Sequence, residues 1–95
     1  IMDPPSYGKG PKEEIWKIED MIHPLIKLCT KILSKDALFF LVNSYTTGLA
    51  PAVLTYMIAT ELKPWNGTVR SEEIGLPVTE SGLVLPCGAS GRWER

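Results

Sequence analysis

Five consecutive apolar residues, Leu38-Phe39-Phe40-Leu41-Val42, lie between two amphipathic stretches, and this constrains the fold more than any other feature. A strand without polar alternation reads as covered on both faces, as in a parallel strand between helix layers. Upstream, apolar residues fall at Ile15, Ile18, Met21, Ile22, Leu25, Leu28, Cys29, Ile32 and Leu33. That spacing predicts a helix over 13–33 with one apolar stripe. Glu13 and Glu14 sit where the helix dipole favours negative charge. Pro24 interrupts the pattern: inside a helix it removes a hydrogen bond and clashes with the preceding turn, costing about 3 kcal/mol. A kink or break is therefore expected between Asp20 and His23, with Pro24 opening a second helix. Downstream, Pro51 stands near the start of another helix with a core face of Val53, Leu54, Met57, Ile58 and Leu62. Pro64 ends it, and Asn66-Gly67 forms a turn.

The last third changes period. Ile74, Leu76 and Val78 alternate with Glu73, Gly75 and Pro77, and Leu83, Leu85, Cys87 and Ala89 alternate in the same way. With Thr79-Glu80-Ser81-Gly82 as the loop, this predicts an antiparallel hairpin. Pro77 and Pro86 predict that it is an edge or bulged, because proline cannot donate to a ladder.

Residues 3–12, DPPSYGKGPK, hold too many prolines and glycines for a helix or a central strand, and read as a structured loop leaving a strand end. The expected order is strand end, loop, helix, strand, loop, helix, hairpin. A strand–helix–strand unit in one sheet implies a right-handed parallel crossover. The loops at 3–12 and 43–50 then open together at the carboxyl edge, where open α/β sheets bind ligands.

A chain of 95 residues forms one modest core. Hydrophobic residues at 44% and charged residues at 22% exclude a disordered tail. No apolar run approaches the roughly 20 residues that span a bilayer. Two cysteines exclude a disulfide-stapled scaffold and a four-cysteine zinc site. Ten basic against eleven acidic residues leave no global field to attract nucleic acid. A turn motif stands where the apolar segment of a signal peptide would be, so no signal peptide is expected and a reducing cytoplasm is the expected compartment. Ile1-Met2 stand where the strand before a rigid Asp3-Pro4-Pro5 turn belongs, so the chain reads as the downstream part of something longer.

The same Asp3-Pro4-Pro5-Ser6-Tyr7 loop is the leading candidate for chemistry. Its prolines fix the backbone and leave local carbonyls without competing intra-loop donors. A carboxylate plus a rigid carbonyl can accept both hydrogens of an exocyclic amine. A tyrosine ring nearby can stack on a base, worth roughly 1–3 kcal/mol. Against this stands a plain proline-stiffened turn capped by aspartate, which physics alone favours.

Asp3-Pro4-Pro5-Ser6-Tyr7-Gly8, Gly10-Pro11-Lys12 and Glu14-Ile15-Trp16-Lys17 resemble the DPPxYGxGPKxExWK stretch of class I S-adenosylmethionine-dependent methyltransferases, in the ribosomal RNA large-subunit methyltransferase-like branch. Leu38 to Val42 with Asn43-Ser44-Tyr45-Thr46-Thr47-Gly48-Leu49 resembles that branch's next parallel strand and exit loop. Leu85-Pro86-Cys87-Gly88-Ala89 and Gly91-Arg92-Trp93 resemble its last strand and terminus. The resemblance covers nearly all of the chain.

It implies the carboxyl-terminal part of a Rossmann-like class I methyltransferase sheet: two parallel strands with helices, plus an antiparallel C-terminal hairpin. Residues 1–95 would be one part of a single catalytic domain, whose upstream donor-binding half is a partner this chain lacks. S-adenosylmethionine is the implied methyl donor, with Asp3 and Pro4 beside both donor and acceptor. Asp3 and the Pro4 carbonyl would orient the acceptor, Pro5 would stiffen the loop, and Tyr7 would flank a base of ribosomal RNA. Amine methyltransferases often place the aromatic directly after the second proline; Ser6 intervenes here and argues against amine methylation. Methylation at C5 of cytosine needs a cysteine nucleophile, and neither strand-exit loop has one. Cys29 and Cys87 read as small hydrophobes. Gly8-Lys9-Gly10 lacks a third glycine and sits in the wrong loop, so the chain alone is not expected to bind the donor tightly.

Asn43, Ser44 and Tyr45 are candidates for acceptor contact, weighed equally against ordinary strand-exit hydrogen bonding. Lys9, Lys12, Lys17 and Arg92 could hold RNA phosphates, although the charge balance favours a solvated surface. His23 has no partner set for a metal or a triad. Trp16 and Trp93 read as core and rim packing, and Glu72-Glu73 as a solvated face. The rival reading is a non-catalytic α/β module that mediates assembly or binds a small ligand.

Overall fold

The computed structural model describes residues 1–46 and 48–95. Thr47, part of the exit loop expected at 43–48, lies outside the described residues. Strands β1 (Tyr7–Lys9) and β2 (Ile15–Lys17) form a small antiparallel ribbon that leads into helix α1 (Ile18–Thr30). Strand β3 (Phe39–Ser44) and helix α2 (Pro51–Glu61) follow, then a 3-10 turn at Lys63–Trp65, and last the long strands β4 (Thr68–Pro77) and β5 (Val84–Glu94).

The expected helix over 13–33 begins five residues late. Glu13 takes a left-handed backbone (φ 63°) and turns the chain back. The turn closes with Gly10 N–H on the Glu14 carbonyl (2.8 Å) and Lys12 N–H on the Glu14 carboxylate (2.9 Å). Glu14 is therefore spent on the turn, and Ile15–Lys17 pair with Tyr7–Lys9 across it. A loop expectation for 3–12 missed this ribbon because three residues carry no readable alternation.

Pro24 neither ends α1 nor opens a second helix; the helix runs through it. The buried stripe is Ile18, Ile22 and Ile26. Asp20 and Pro24 lie on the opposite, exposed face, where the Asp20 carbonyl that Pro24 cannot bond is open to water. Met21, Leu28 and Ile32, expected in the core, are exposed, and Ile26 takes that place. Past Thr30 the chain tightens into three-residue turns, Lys31 to Leu28, Ile32 to Cys29 and Leu33 to Thr30.

The expectation of two parallel strands is also corrected. Strand order is β3-β5-β4, and both pairings are antiparallel. Among the described residues, the parallel pairing is a single bridge, Met2 to Val42, made by Met2 N–H on the Leu41 carbonyl (2.7 Å) and Asn43 N–H on the Met2 carbonyl (2.9 Å). Nor is β3 covered on both faces: Phe40, Val42 and Ser44 are buried, while Phe39, Leu41 and Asn43 lie on the other side and are not. Its unbroken apolar run hid this asymmetry.

The hairpin forms and is longer than expected. Cys87 is the extra residue of a bulge between the Ile74–Gly88 and Gly75–Pro86 pairs. Pro86 is tolerated because β3 pairs only with residues 89–94 of β5, so that side of the ladder is open. Val78 and Leu83 close the turn (2.8 Å).

Both helices contribute to one core with one sheet face: Ile18, Ile22, Ile26, Leu54, Met57, Ile58 and Leu62 against Phe40, Val42, Ala89 and Trp93. The Trp93 indole donates to the Asn66 carbonyl, and Thr55 donates to Ser71 (2.6 Å). His23 meets Glu61 at 3.1 Å, tying α1 to α2. Val53, expected inward, is exposed. The molecule is a slab of 46 × 38 × 17 Å. Its radius of gyration, 14.7 Å, exceeds the about 12 Å of a compact domain this size.

Candidate functional site

The Met2–Val42 bridge sets the candidate site. It lays residue 3 beside the exit of β3, so the Asp3-Pro4-Pro5-Ser6 loop and the Asn43–Thr46 segment leave the sheet together. A second bond joins them farther out, Ser6 Oγ to Thr46 Oγ1 at 2.5 Å. The ribbon grips the loop from its other side: the Trp16 indole donates to the Pro5 carbonyl (2.6 Å), and Ile18 N–H to the Ser6 carbonyl (3.1 Å). Trp16 is thus half-buried and holds the loop from the ribbon side. A loop expected to be stiff from its prolines is also held by three side-chain and backbone bonds.

Asp3, Pro5 and Ser6 are exposed, and Pro4 is half-buried. Tyr7 is 58% exposed, already on β1 opposite Lys17. Lys9 is on the same strand face, and Lys12 lies exposed at the ribbon tip, away from the β3 exit. Among the strand-exit residues, Tyr45 is 52% exposed. Ser44 is fully buried, and its hydroxyl accepts from Thr46 N–H (3.3 Å), so it has no surface to offer. The Asn43 amide oxygen accepts from Ser90 Oγ (2.8 Å), stitching β3 to β5. The structure therefore brings Asp3, Pro4, Pro5, Ser6 and Tyr45 to one sheet edge and sets Lys9 and Lys12 out on the ribbon.

A cleft of about 230 Å³ opens at this edge, lined by Thr46, Leu49, Ala50, Pro51, Glu73, Pro86 and Gly88. Reading the sequence missed three of these. Glu73, read as part of a solvated face, is indeed exposed, and it stands on β4 on the same side as Ser71 with the cleft beside it. Gly88 lies where a Cβ would run into the Ser44 carbonyl and come 2.9 Å from Tyr45 Cα, so only glycine lets β5 approach the end of β3. Pro86 precedes the bulge. The signal for all three is the register of β5 between β3 and β4, which no local pattern reveals.

Cys29 and Cys87 are free and half-buried, and neither belongs to the loop or to the β3 exit. Among the described residues, no three His, Cys, Asp or Glu side chains form a set that could hold a metal ion. Among the same residues, no helix is long and apolar enough to cross a membrane. Gly8-Lys9-Gly10 is folded into the ribbon, with the Gly10 N–H spent on Glu14. The Gly10 amide is not free to cradle a carboxylate or phosphate, so this glycine pair does not fit a donor-binding loop.

No family model and no curated protein sequence matches the chain. A solved structure does: the crystal structure of the SAM-dependent methyltransferase from Agrobacterium tumefaciens, with a TM-score of 0.85 and 26% sequence identity. The match covers 99% of this chain and 32% of that one. The chain thus spans about a third of that protein's length, and its architecture matches a fragment of a methyltransferase fold.

Proposed function

We propose that the chain is the acceptor-side part of a methyltransferase that uses S-adenosylmethionine, with a base of ribosomal RNA as substrate and the cytoplasm as its setting. The observation that carries the reading is the match at TM-score 0.85 and 26% identity over 99% of the chain. Within that reading, Asp3 and the Pro4 carbonyl orient the acceptor. Pro5, fixed by Trp16, holds them in place, and Tyr45 and the Glu73 cleft flank the acceptor from β3 and β4. Such a site works by alignment. A sulfonium methyl group is already electrophilic, and the protein's task is to hold the acceptor atom in line with it. The donor itself would be held by an upstream segment of the same domain, since the residues here do not form its cradle. The choice of RNA rests on the resemblance of the loop and strand motifs.

Transfer of a tritiated methyl group to ribosomal RNA by the native polypeptide tests the reading. Asp3→Ala should lower that transfer about 10²-fold or more while the circular dichroism spectrum is unchanged. Near-normal turnover would return Asp3 to the role of a turn cap. Calorimetric titration of the 95-residue chain with S-adenosylmethionine should show no tight binding; a micromolar dissociation constant would mean that the donor cradle lies within these residues.

A further inference from the structure

The ribbon β1–β2 has two unlike faces. Gly8 and Trp16, paired across it, turn inward and are half-buried. Tyr7 with Lys17 and Lys9 with Ile15, the two flanking pairs, share the other face. All four are exposed, Tyr7 at 58% and Ile15 at 50%. An aromatic ring and two lysines therefore stand together on one side of a narrow ribbon, with no acidic residue among them. The nearest carboxylates are at its ends: Glu14 is turned onto Lys12 N–H, Glu13 is at the tip, and Glu19 and Asp20 follow on the first turn of α1.

Successive residues on one strand face are about 6.6 Å apart. Tyr7 and Lys9 thus offer a ring and a cation at about that interval, with Lys17 directly across from the ring. Rings that stack bases and cations that track phosphates are the two components of single-strand binding. The ribbon is also rigidly coupled to the candidate acceptor loop, through Trp16 to Pro5 and Ile18 to Ser6. A strand lying on this face is led directly into that loop.

We propose that the exposed face of the ribbon is a docking surface for single-stranded nucleic acid. Tyr7 stacks one base next to the acceptor, and Lys9 and Lys17 hold the adjoining phosphates. The inference rests on the reading of a base-directed methyltransferase and assigns that enzyme its substrate-guiding element.

The test is fluorescence anisotropy of a labelled eight-nucleotide oligouridine with the protein, across a series of salt concentrations and without methyl donor. The double variant K9Q/K17Q should reduce the slope of log affinity against log salt by about 1.4, the share of two single-strand phosphates. Tyr7→Ala should weaken binding about tenfold, and Tyr7→Phe should restore it, because the ring alone stacks. R70Q, on the bare face of the main sheet, should bind as the unchanged protein does. An unaltered salt slope in K9Q/K17Q overturns the proposal. So does a loss that follows R70Q instead, or no binding up to about 0.1 mM protein. Oligonucleotide binding needs no methyl transfer, so failure of the ribbon and failure of the methyltransferase reading are read in separate assays.

Discussion

The two faces of the β3-β5-β4 sheet are built from alternate residues of the same strands, yet differ in almost every respect. The helix-covered face carries Phe40, Val42, Ala89, Gly91 and Trp93, all buried. The other face carries Leu41, Thr68, Arg70, Glu72, Ser90, Arg92 and Glu94 around an open concavity of about 660 Å³. On the first, side chains interlock with α1 and α2. On the second, Arg92 pairs with Glu94 (2.6 Å) and lies over the Phe39 ring (5.4 Å), in contact with water. Period-two alternation thus divides one sheet into a surface that holds the fold together and a surface that contributes little to it. A bare face also explains the thin slab and its large radius of gyration. An antiparallel sheet can leave one face in water; in the proposed full domain, the bare face is where an upstream layer would rest.

The comparison predicts unequal damage from equal surgery. Trp93→Ala should have the largest effect. Trp93 is 1% exposed, fills the centre of the covered face, and its loss also removes the indole's bond to the Asn66 carbonyl. A loss of about 3–5 kcal/mol is expected, enough to unfold a small chain, and urea denaturation would measure it. Survival with a midpoint near that of the unchanged protein would show that the covered face is not the main core.

Gly91→Ala should come next. A Cβ there would stand 2.6 Å from Ile58 Cδ1 and 2.9 Å from Leu54 Cβ. Overpacking of this kind costs about 1–3 kcal/mol. Ile58→Val removes the atom in the way, and alone costs about 0.5–1.5 kcal/mol. Combined with Gly91→Ala, it should recover part of the loss, so the double-mutant cycle must be non-additive. Additive losses would mean that α2 shifts away from β5 as a rigid body rather than being locked by these contacts.

How much of this was legible follows the same division. α2 was readable because Pro51 starts it, Pro64 follows it, and Leu54, Met57 and Ile58 repeat at helical spacing. The C-terminal hairpin was readable because Ile74 to Val78 and Leu83 to Ala89 alternate, and its bulge because two prolines cannot sit in an unbroken ladder. The pairing partner of β3 was not: an apolar run states that a strand is apolar and says nothing about which neighbour bonds to it. The ribbon was hidden because Glu13 and Glu14 resemble a helix N-terminus and in fact make a turn. In the candidate site, the loop at Asp3–Tyr7 stood out by its prolines. Glu73 and Gly88 did not, because they reach the site only through the register of β5. Asn43 and Ser44 lie in the right strand, but their side chains are already bonded within the fold, and burial of that kind is a tertiary fact.

Arg92→Ala should be the smallest effect, and it tests the bare face directly. The side chain is about half exposed, as is Glu94, so the pair is screened and contributes at most about 1 kcal/mol. The Phe39 contact adds a similar modest amount at an exposed position. Raising the salt concentration should shrink the difference between Arg92→Ala and the unchanged protein, because water and counterions already share the pair. In a longer polypeptide, a layer resting on this face would dry the same guanidinium. The same substitution would then cost several-fold more and lose its salt dependence, because a charge removed from a desolvated pair leaves its partner buried and unpaired. Measuring Arg92→Ala in the 95-residue chain and in the native polypeptide therefore reports whether the bare face stays bare. Equal, small, salt-sensitive losses in both would show that nothing covers it, and would remove the structural reason for an upstream layer on that side.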